Sequence, residues 1–414
     1  MRDPTRSEPL AHPRSGPHPR SERSHCHRGR LRARRRRPCL CRDPSALGRD
    51  RVHPGARPPR LEHAPPRTPP GTRGRGRTSA CGGRPALGRG GGKARWGGRR
   101  LSIDLDFDAG QQALADAVSQ FCKDHWTDAD AREPGPGFSR ERWRALAQLG
   151  VLAAGAPGEA SGALEVCAIA EALGRAAFPG PLVASFLAQQ VLPADEAARI
   201  ASGETLVCVG TPPLIAWADH AQCFLECDGS QLYRGEPAGG VMSELGFGGE
   251  AWGRVGLVRG DALPEAARGL ALGEIVRAAY LAAAGARLVA DAAEHARTRQ
   301  QFGRPVGEFQ AVAHPLAQVH MRLEAARGLA RAAAWVFDAG AVADAGRRAA
   351  TAGLSASGAG LDAVHVSHQV FGAVGITVEG PAFPISRRIR SVAVQGLATQ
   401  RAREALCGEY GWVA

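Results

Sequence analysis

The chain has 414 residues, a formal net charge of +13 and 44% hydrophobic residues, long enough to bury a sizeable core. The charge is uneven: residues 1–100 hold 26 Arg and 1 Lys against 6 Asp plus Glu, a net of +21, which leaves residues 101–414 at −8. The part able to fold is therefore mildly acidic, which excludes a basic nucleic-acid-coating surface for it, and the sequence pI of about 10.0 describes the N-terminal segment.

Residues 1–100 carry 15 of the 29 prolines and a single aromatic, Trp96. So little apolar surface cannot offset the entropy of ordering, and the segment is predicted to be disordered. Arg34 to Arg37 could contact phosphates or belong to a targeting segment, but no apolar stretch follows them, against a secretory or twin-arginine signal. With 2 Lys against 51 Arg in the whole chain, a very G+C-rich coding sequence translated upstream of the true start accounts better for this composition. The natural start is expected near Leu101.

Residues 101–202 read as a helical domain. Asp108 is placed to cap a helix carrying Leu114, Val118, Phe121 and Cys122 at spacings of three and four. Ser139 opens a second that stops at Gly150, and helices are predicted from Leu164 to Leu173 and from Leu182 to Val191. Residues 203–265 change texture. Short runs at 206–209, 223–227, 232–233 and 255–258, divided by Gly, Pro and Asp, predict a small antiparallel β-domain that packs on the helical parts. Residues 266–414 return to helix: Gly273 to Arg297, then about Phe309 to Phe337, then Ala345 to Gln369, then a last helix ending the chain. Pro315 should kink the first turn of the second or mark where it starts. Short joins predict a C-terminal four-helix bundle, so the fold class is mainly α with a small β-domain.

Of ten cysteines, four lie in residues 1–100 and the rest are scattered. Cys223 and Cys227 lack a second ligand pair, and His365 and His368 lack a third ligand, so no metal is expected. The histidines read as scaffold or surface groups. Reduced thiols and no apolar run approaching ~20 residues predict a cytoplasmic protein without a membrane partner.

Two strings carry chemistry. Arg299-Gln300-Gln301-Phe302-Gly303-Arg304-Pro305, followed by Phe309-Gln310, joins the first two long helices. Each residue has an ordinary explanation in helix-end charge and turn chemistry. The second string, Gln369-Val370-Phe371-Gly372-Ala373-Val374-Gly375, ends the third long helix. Together they resemble the signatures of the acyl-CoA dehydrogenase family, a resemblance that extends from about residue 101 to the end. It implies FAD as cofactor, with Arg299, Phe302 and Gln310 contacting it and with Gln369, Gly372 and Ala373 at its diphosphate. Ala373 stands where the family has a second glycine. The guanidinium of Arg299 and the amide of Gln369 are expected to come from two different chains and clamp the diphosphate between them.

The family desaturates acyl-CoA thioesters, passing electrons to electron-transfer flavoprotein. This needs a carboxylate base for the α-proton. Most members place a glutamate where this chain has Gln395-Gly396. Others keep it near the start of the first bundle helix, where Glu274 stands one residue away; a Glu at a helix N-terminus is also favoured by the dipole alone. Glu274 is the candidate base. Two readings follow from the resemblance: an acyl-CoA dehydrogenase acting as a homo-oligomer or hetero-oligomer, or a non-catalytic subunit that completes a related chain's FAD site. Nucleic acid is not expected as a partner.

Overall fold

In the computed structural model, residues 105–133, 137–246 and 249–396 are described, together with Arg403 and Cys407. The expectations for residues 1–100, and for a helix running to the end of the chain, lie outside these residues.

Six helices open the described chain: α1 (Ala109–His125), α2 (Asp128–Arg132), α3 (Arg140–Gln148), α4 (Ala163–Arg175), α5 (Leu182–Gln189) and α6 (Ala194–Ala201). Asp108 caps α1 as its position predicts: its carboxylate accepts from Gln111 N–H at 2.8 Å, while the Gln111 side chain accepts from the Asp108 N–H. Ser139 caps α3 with its hydroxyl alone, accepting from Arg142 N–H at 3.3 Å. Helix α4 has no side-chain cap of its own; Asp338, at the far end of the chain's second long helix, accepts from Ala163 N–H at 2.7 Å and supplies one.

Seven strands follow: β1 (Val207–Gly210), β2 (Leu214–Ala216), β3 (Cys223–Cys227), β4 (Leu232–Pro237), β5 (Met242–Leu245), β6 (Ala251–Arg254) and β7 (Leu257–Ala262). They form two sheets, ordered β1-β3-β4-β7 and β2-β6-β5. The sequence predicts one antiparallel sheet, and this differs in two respects. The chain between β1 and β3 swings through β2 in the other sheet, so β1 returns beside β3 in parallel, Val207 opposite Cys223. The run 255–258 is split, because β6 ends at Arg254 and β7 begins at Leu257. One face of the four-stranded sheet buries Val207, Leu225 and Leu232 against Leu187 of α5, Val191 just past its end and Ile200 of α6, so this small β-unit shares its core with helices.

The last helices are α7 (Ala266–Thr298), α8 (Gln310–Asp338), α9 (Val342–Phe371) and α10 (Ala382–Ala393), with two-residue strands β8 (Gln300–Gln301) and β9 (Arg304–Pro305) pairing between α7 and α8. Helix α7 begins seven residues before the predicted Gly273, because Gly269 and Gly273 are not breaks but the places where Leu187 of α5 packs closely. Pro315 falls in the second turn of α8 and not at its start. α7 packs against α9, α8, α4 and α5 through a run of small residues, Ala278, Ala279, Ala282, Ala283, Ala284 and Gly285, all buried, which favours helix and lets neighbouring backbones come close. The expectation of no membrane-length apolar run needs correcting, since α7 is long and apolar enough to cross a bilayer. Its apolar window is 94% buried, and α7 is the central helix of the core. Each Leu, Ile or Val it buries contributes about 1.5–3 kcal/mol.

Candidate functional site

The C-terminal ends of α7 and α9 meet beside one cavity of about 770 Å³, whose walls include His295, Arg299 and Gln301, then His365, Gln369, Gly372 and Ala373. Contact between the His295 and Phe371 rings, with centroids 5.1 Å apart, ties the two helix ends together. At the end of α7 the Arg299 N–H donates to His295 C=O at 2.9 Å, and the Arg299 C=O accepts from Val306 N–H at 2.8 Å. The backbone on both sides of Arg299 is thereby fixed. Its exposed guanidinium has no carboxylate partner among the described residues. Such a planar set of donors suits phosphate oxygens.

Between β8 and β9 the chain turns through Phe302 (φ +54°) and Gly303 (φ +79°). Phe302 is 91% exposed and meets Phe309 edge-on with centroids 6.1 Å apart, while the Arg304 guanidinium stacks over Phe309 at 4.1 Å. A left-handed phenylalanine is strained, and such strain is a recurrent mark of functional turns. Gln310 is the first residue of α8 and exposed; neither it nor Phe302 lines the cavity.

At the end of α9 Gly372 takes φ +64°, and a β-carbon there would meet nothing within 4 Å. Conformation, not space, is what calls for glycine. Gly375 is the opposite case: a β-carbon would come within 2.9 Å of His368 C=O. Ala373 is exposed and on the wall, so its methyl faces the cavity region without closing it. Arg299 and Gln369 thus share one cavity of one chain, and the expectation that two chains are needed to bring them together is corrected.

The candidate base lies elsewhere. With α7 starting at Ala266, Glu274 is two turns into the helix, and the helix-end dipole does not explain it. It is 7% exposed. Arg277, 1% exposed, donates to Glu274 Oε2 through Nη2 at 2.6 Å and Nε at 3.1 Å, and through Nη1 to Ser357 Oγ at 2.6 Å. Gly353 of α9 leaves room for this pair. The carboxylate is held out of solvent by two donors of one guanidinium, the arrangement of a scaffold ion pair.

Gln395 lines a cleft of about 180 Å³ with Thr211 and Trp252, and also a crevice of about 20 Å³ with Glu250, Tyr280 and Arg388. Its amide donates to Ser391 Oγ at 3.4 Å and cannot act as a base. Glu250, 1% exposed, was not singled out from sequence. It pairs with Arg388 and lies 3.6 Å from Arg387 Nε. Burial pushes its carboxyl up against the opposing pull of Arg388, Arg387 and the Ser391 hydroxyl. Nothing local marks this cluster in the sequence, because Glu250 and Arg388 lie 138 positions apart. Among the described residues no group of His, Cys, Asp and Glu could hold a metal ion. Among the described residues Cys122, Cys167, Cys208, Cys223 and Cys227 are buried and form no disulfide, and burial pushes Cys122 up to about 12, away from nucleophilic use.

Residues 108–204 match the N-terminal domain of acyl-CoA dehydrogenases and residues 263–398 match their C-terminal domain. Acyl-CoA dehydrogenase IpdE2 of Mycobacterium tuberculosis is 27% identical over 292 residues, covering 65% of this chain and 87% of that protein. FadE27 of the same organism is 29% identical over 308 residues, covering 59% and 81%. A match to L-prolyl-[peptidyl-carrier protein] dehydrogenase of Pseudomonas fluorescens, 57% identical, spans 47 residues, 11% of this chain and 12% of that protein. Among solved structures, a chain of the ChsE4-ChsE5 complex from Mycobacterium tuberculosis superposes with a TM-score of 0.64 at 22% identity, over 75% of this chain and all of that one. The FAD complex of PigA gives 0.62 at 18% identity, over 74% and 99%. With both domains matched across more than half of its length, this chain belongs to the acyl-CoA dehydrogenase family.

Proposed function

We propose that this chain works in an FAD-dependent acyl-CoA dehydrogenase that introduces an α,β double bond into an acyl-CoA thioester and passes the electrons to electron-transfer flavoprotein. The observation that carries this reading is the Arg299 guanidinium, free of any carboxylate among the described residues, on the same cavity wall as the Gln369 amide and the Gly372–Gly375 turn. The residues fit the cofactor: Arg299 would hold the diphosphate, Gln369 would donate its amide, and Gly372 would shape the backbone around it. FAD, when bound, supplies the hydride acceptor. The chain's own part is to neutralise and orient the diphosphate, with Phe302 projecting toward the remainder of the cofactor or an adjoining subunit.

A second reading, a non-catalytic subunit that completes a related chain's site, is favoured by the carboxylates. Glu274 is closed in its ion pair and Gln395 is an amide, so in this reading the base is brought by the other chain. Purification separates the two. A chain active alone is yellow and reduces a dye with acyl-CoA. A partner subunit is colourless alone and becomes yellow and active when co-expressed with the related chain. In either case Arg299→Gln should weaken FAD binding by about 10- to 100-fold, as expected for a lost charge-assisted hydrogen bond. Unchanged affinity would rule out the cavity as the cofactor site. Glu274→Gln should leave turnover of the assembled enzyme within severalfold of wild type; loss by several orders of magnitude would restore Glu274 as the base.

A further inference from the structure

The cavity has a charge problem that Arg299 alone does not solve. Two long helices, α7 and α9, end at it while one, α8, begins at it through Ala311 and Val312, so the negative ends of two helix dipoles outnumber the positive end of one at the place where an anion would sit. Each helix also brings an imidazole exactly one turn before its signature residue: His295 precedes Arg299 on α7, and His365 precedes Gln369 on α9. All four line the same cavity, and no carboxylate lines it.

We propose that His295 and His365 form a proton-linked pair of anion-holding groups, so that a diphosphate in this cavity binds with proton uptake and more tightly in acid. This rests on the reading of the cavity as the diphosphate site and adds to it a regulation by pH. The physical basis is mutual. Helix C-termini favour imidazolium, imidazolium favours the diphosphate, and imidazole titrates in the physiological range.

The surrounding charges do not substitute for the pair. On α7, Glu294 is engaged by Arg297 at 2.9 Å. In the turn, Arg304 stacks on Phe309 and Glu308 is exposed off the wall. The residues of α8 on the wall, Ala311, Val312 and Pro315, carry no charge, and His314 is exposed off it. On α9, His368 is bound to Ser386 Oγ of α10 at 2.8 Å; burial, then the charges of Arg390 and His365, push it down, away from imidazolium.

The test is FAD binding by the full-length protein, followed by fluorescence from pH 5.5 to 8.5, with calorimetry in two buffers of different ionisation enthalpy to count protons taken up. The diphosphate diester of FAD keeps its charge across this range, so a pH dependence belongs to the protein. Binding should be about tenfold tighter at the acid end, with net proton uptake near neutral pH. The double variant His295→Gln/His365→Gln should show a flat profile from pH 5.5 to 8.5. A flat wild-type profile without proton uptake overturns the proposal, as does a double variant that keeps the wild-type slope; the calorimetry needs no variant and so does not depend on the variant folding. If Arg299→Gln is weak at every pH while wild type is pH-independent, the proton linkage fails and the cavity reading stands. Should Arg299→Gln bind like wild type, or wild type bind no FAD at any pH either alone or co-expressed with the related chain, both fall.

Discussion

Helix α7 carries arginines toward both ends, and they are used in opposite ways. Arg277, in its first half, is 1% exposed and spends its donors on Glu274, Ser357 and the Ala393 carbonyl. Arg299, just past its last turn, is exposed on a cavity wall and meets no carboxylate among the described residues. Desolvation explains the difference. A guanidinium taken out of water must be matched within the chain, whereas one at the edge of a cavity keeps water until a ligand replaces it. The same division separates Arg387 and Arg388, buried around Glu250, from Arg299 on the cavity wall. Charge that is consumed builds the scaffold, and charge that is left accessible marks the site.

Removing a consumed charge should have the largest effect on stability. Glu250→Ala strips the carboxylate shared by two buried arginines and should cost about 3–5 kcal/mol, read by thermal or urea denaturation. A loss below about 1 kcal/mol would mean the cluster is hydrated and not a buried lock. Gly353→Ala comes next. A β-carbon there would overlap Glu274 Oε2 and lie 2.7 Å from Arg277 Nη2, and because that carboxylate is pinned, the pair must shift or break. A net loss of about 1–3 kcal/mol is expected from overpacking, despite the helix-propensity gain of about 1 kcal/mol for alanine. Increased stability would show that the ion pair yields freely. Smallest is Arg299→Gln, which should change the denaturation midpoint by no more than about 0.5 kcal/mol while losing FAD affinity. A stability loss like that of Glu250→Ala would place Arg299 in the scaffold and erase the contrast.

The string from Arg299 to Gln310 and the Gln369–Gly375 turn were legible because each is local: turn, helix end and glycine conformation are written in consecutive residues. The caps at Asp108 and Ser139 were legible for the same reason. What was not legible is what the tertiary structure adds. The parallel pairing of β1 with β3 depends on where β2 goes, and the extension of α7 back to Ala266 depends on Leu187 needing glycines opposite it. The Glu250 cluster joins a strand hairpin to α10 across the chain. The Glu274–Arg277 pair, by contrast, has an i,i+3 spacing that the sequence itself displays. Likewise the one-turn spacing of His295 to Arg299 and of His365 to Gln369 stood in the sequence, but only the shared cavity gave it meaning.

The apolar character of α7 has one more consequence. By length and composition this helix could cross a bilayer, yet its apolar window is 94% buried in protein, so in a nascent or unfolded chain it is a segment that gains from the cover of a chaperone or is prone to self-association. Arg299 sits at its tip. Any lesion that peels the surrounding helices away therefore removes the anion site and releases an insoluble segment in the same event, and loss of cofactor and aggregation should be seen together in damaged variants of this chain.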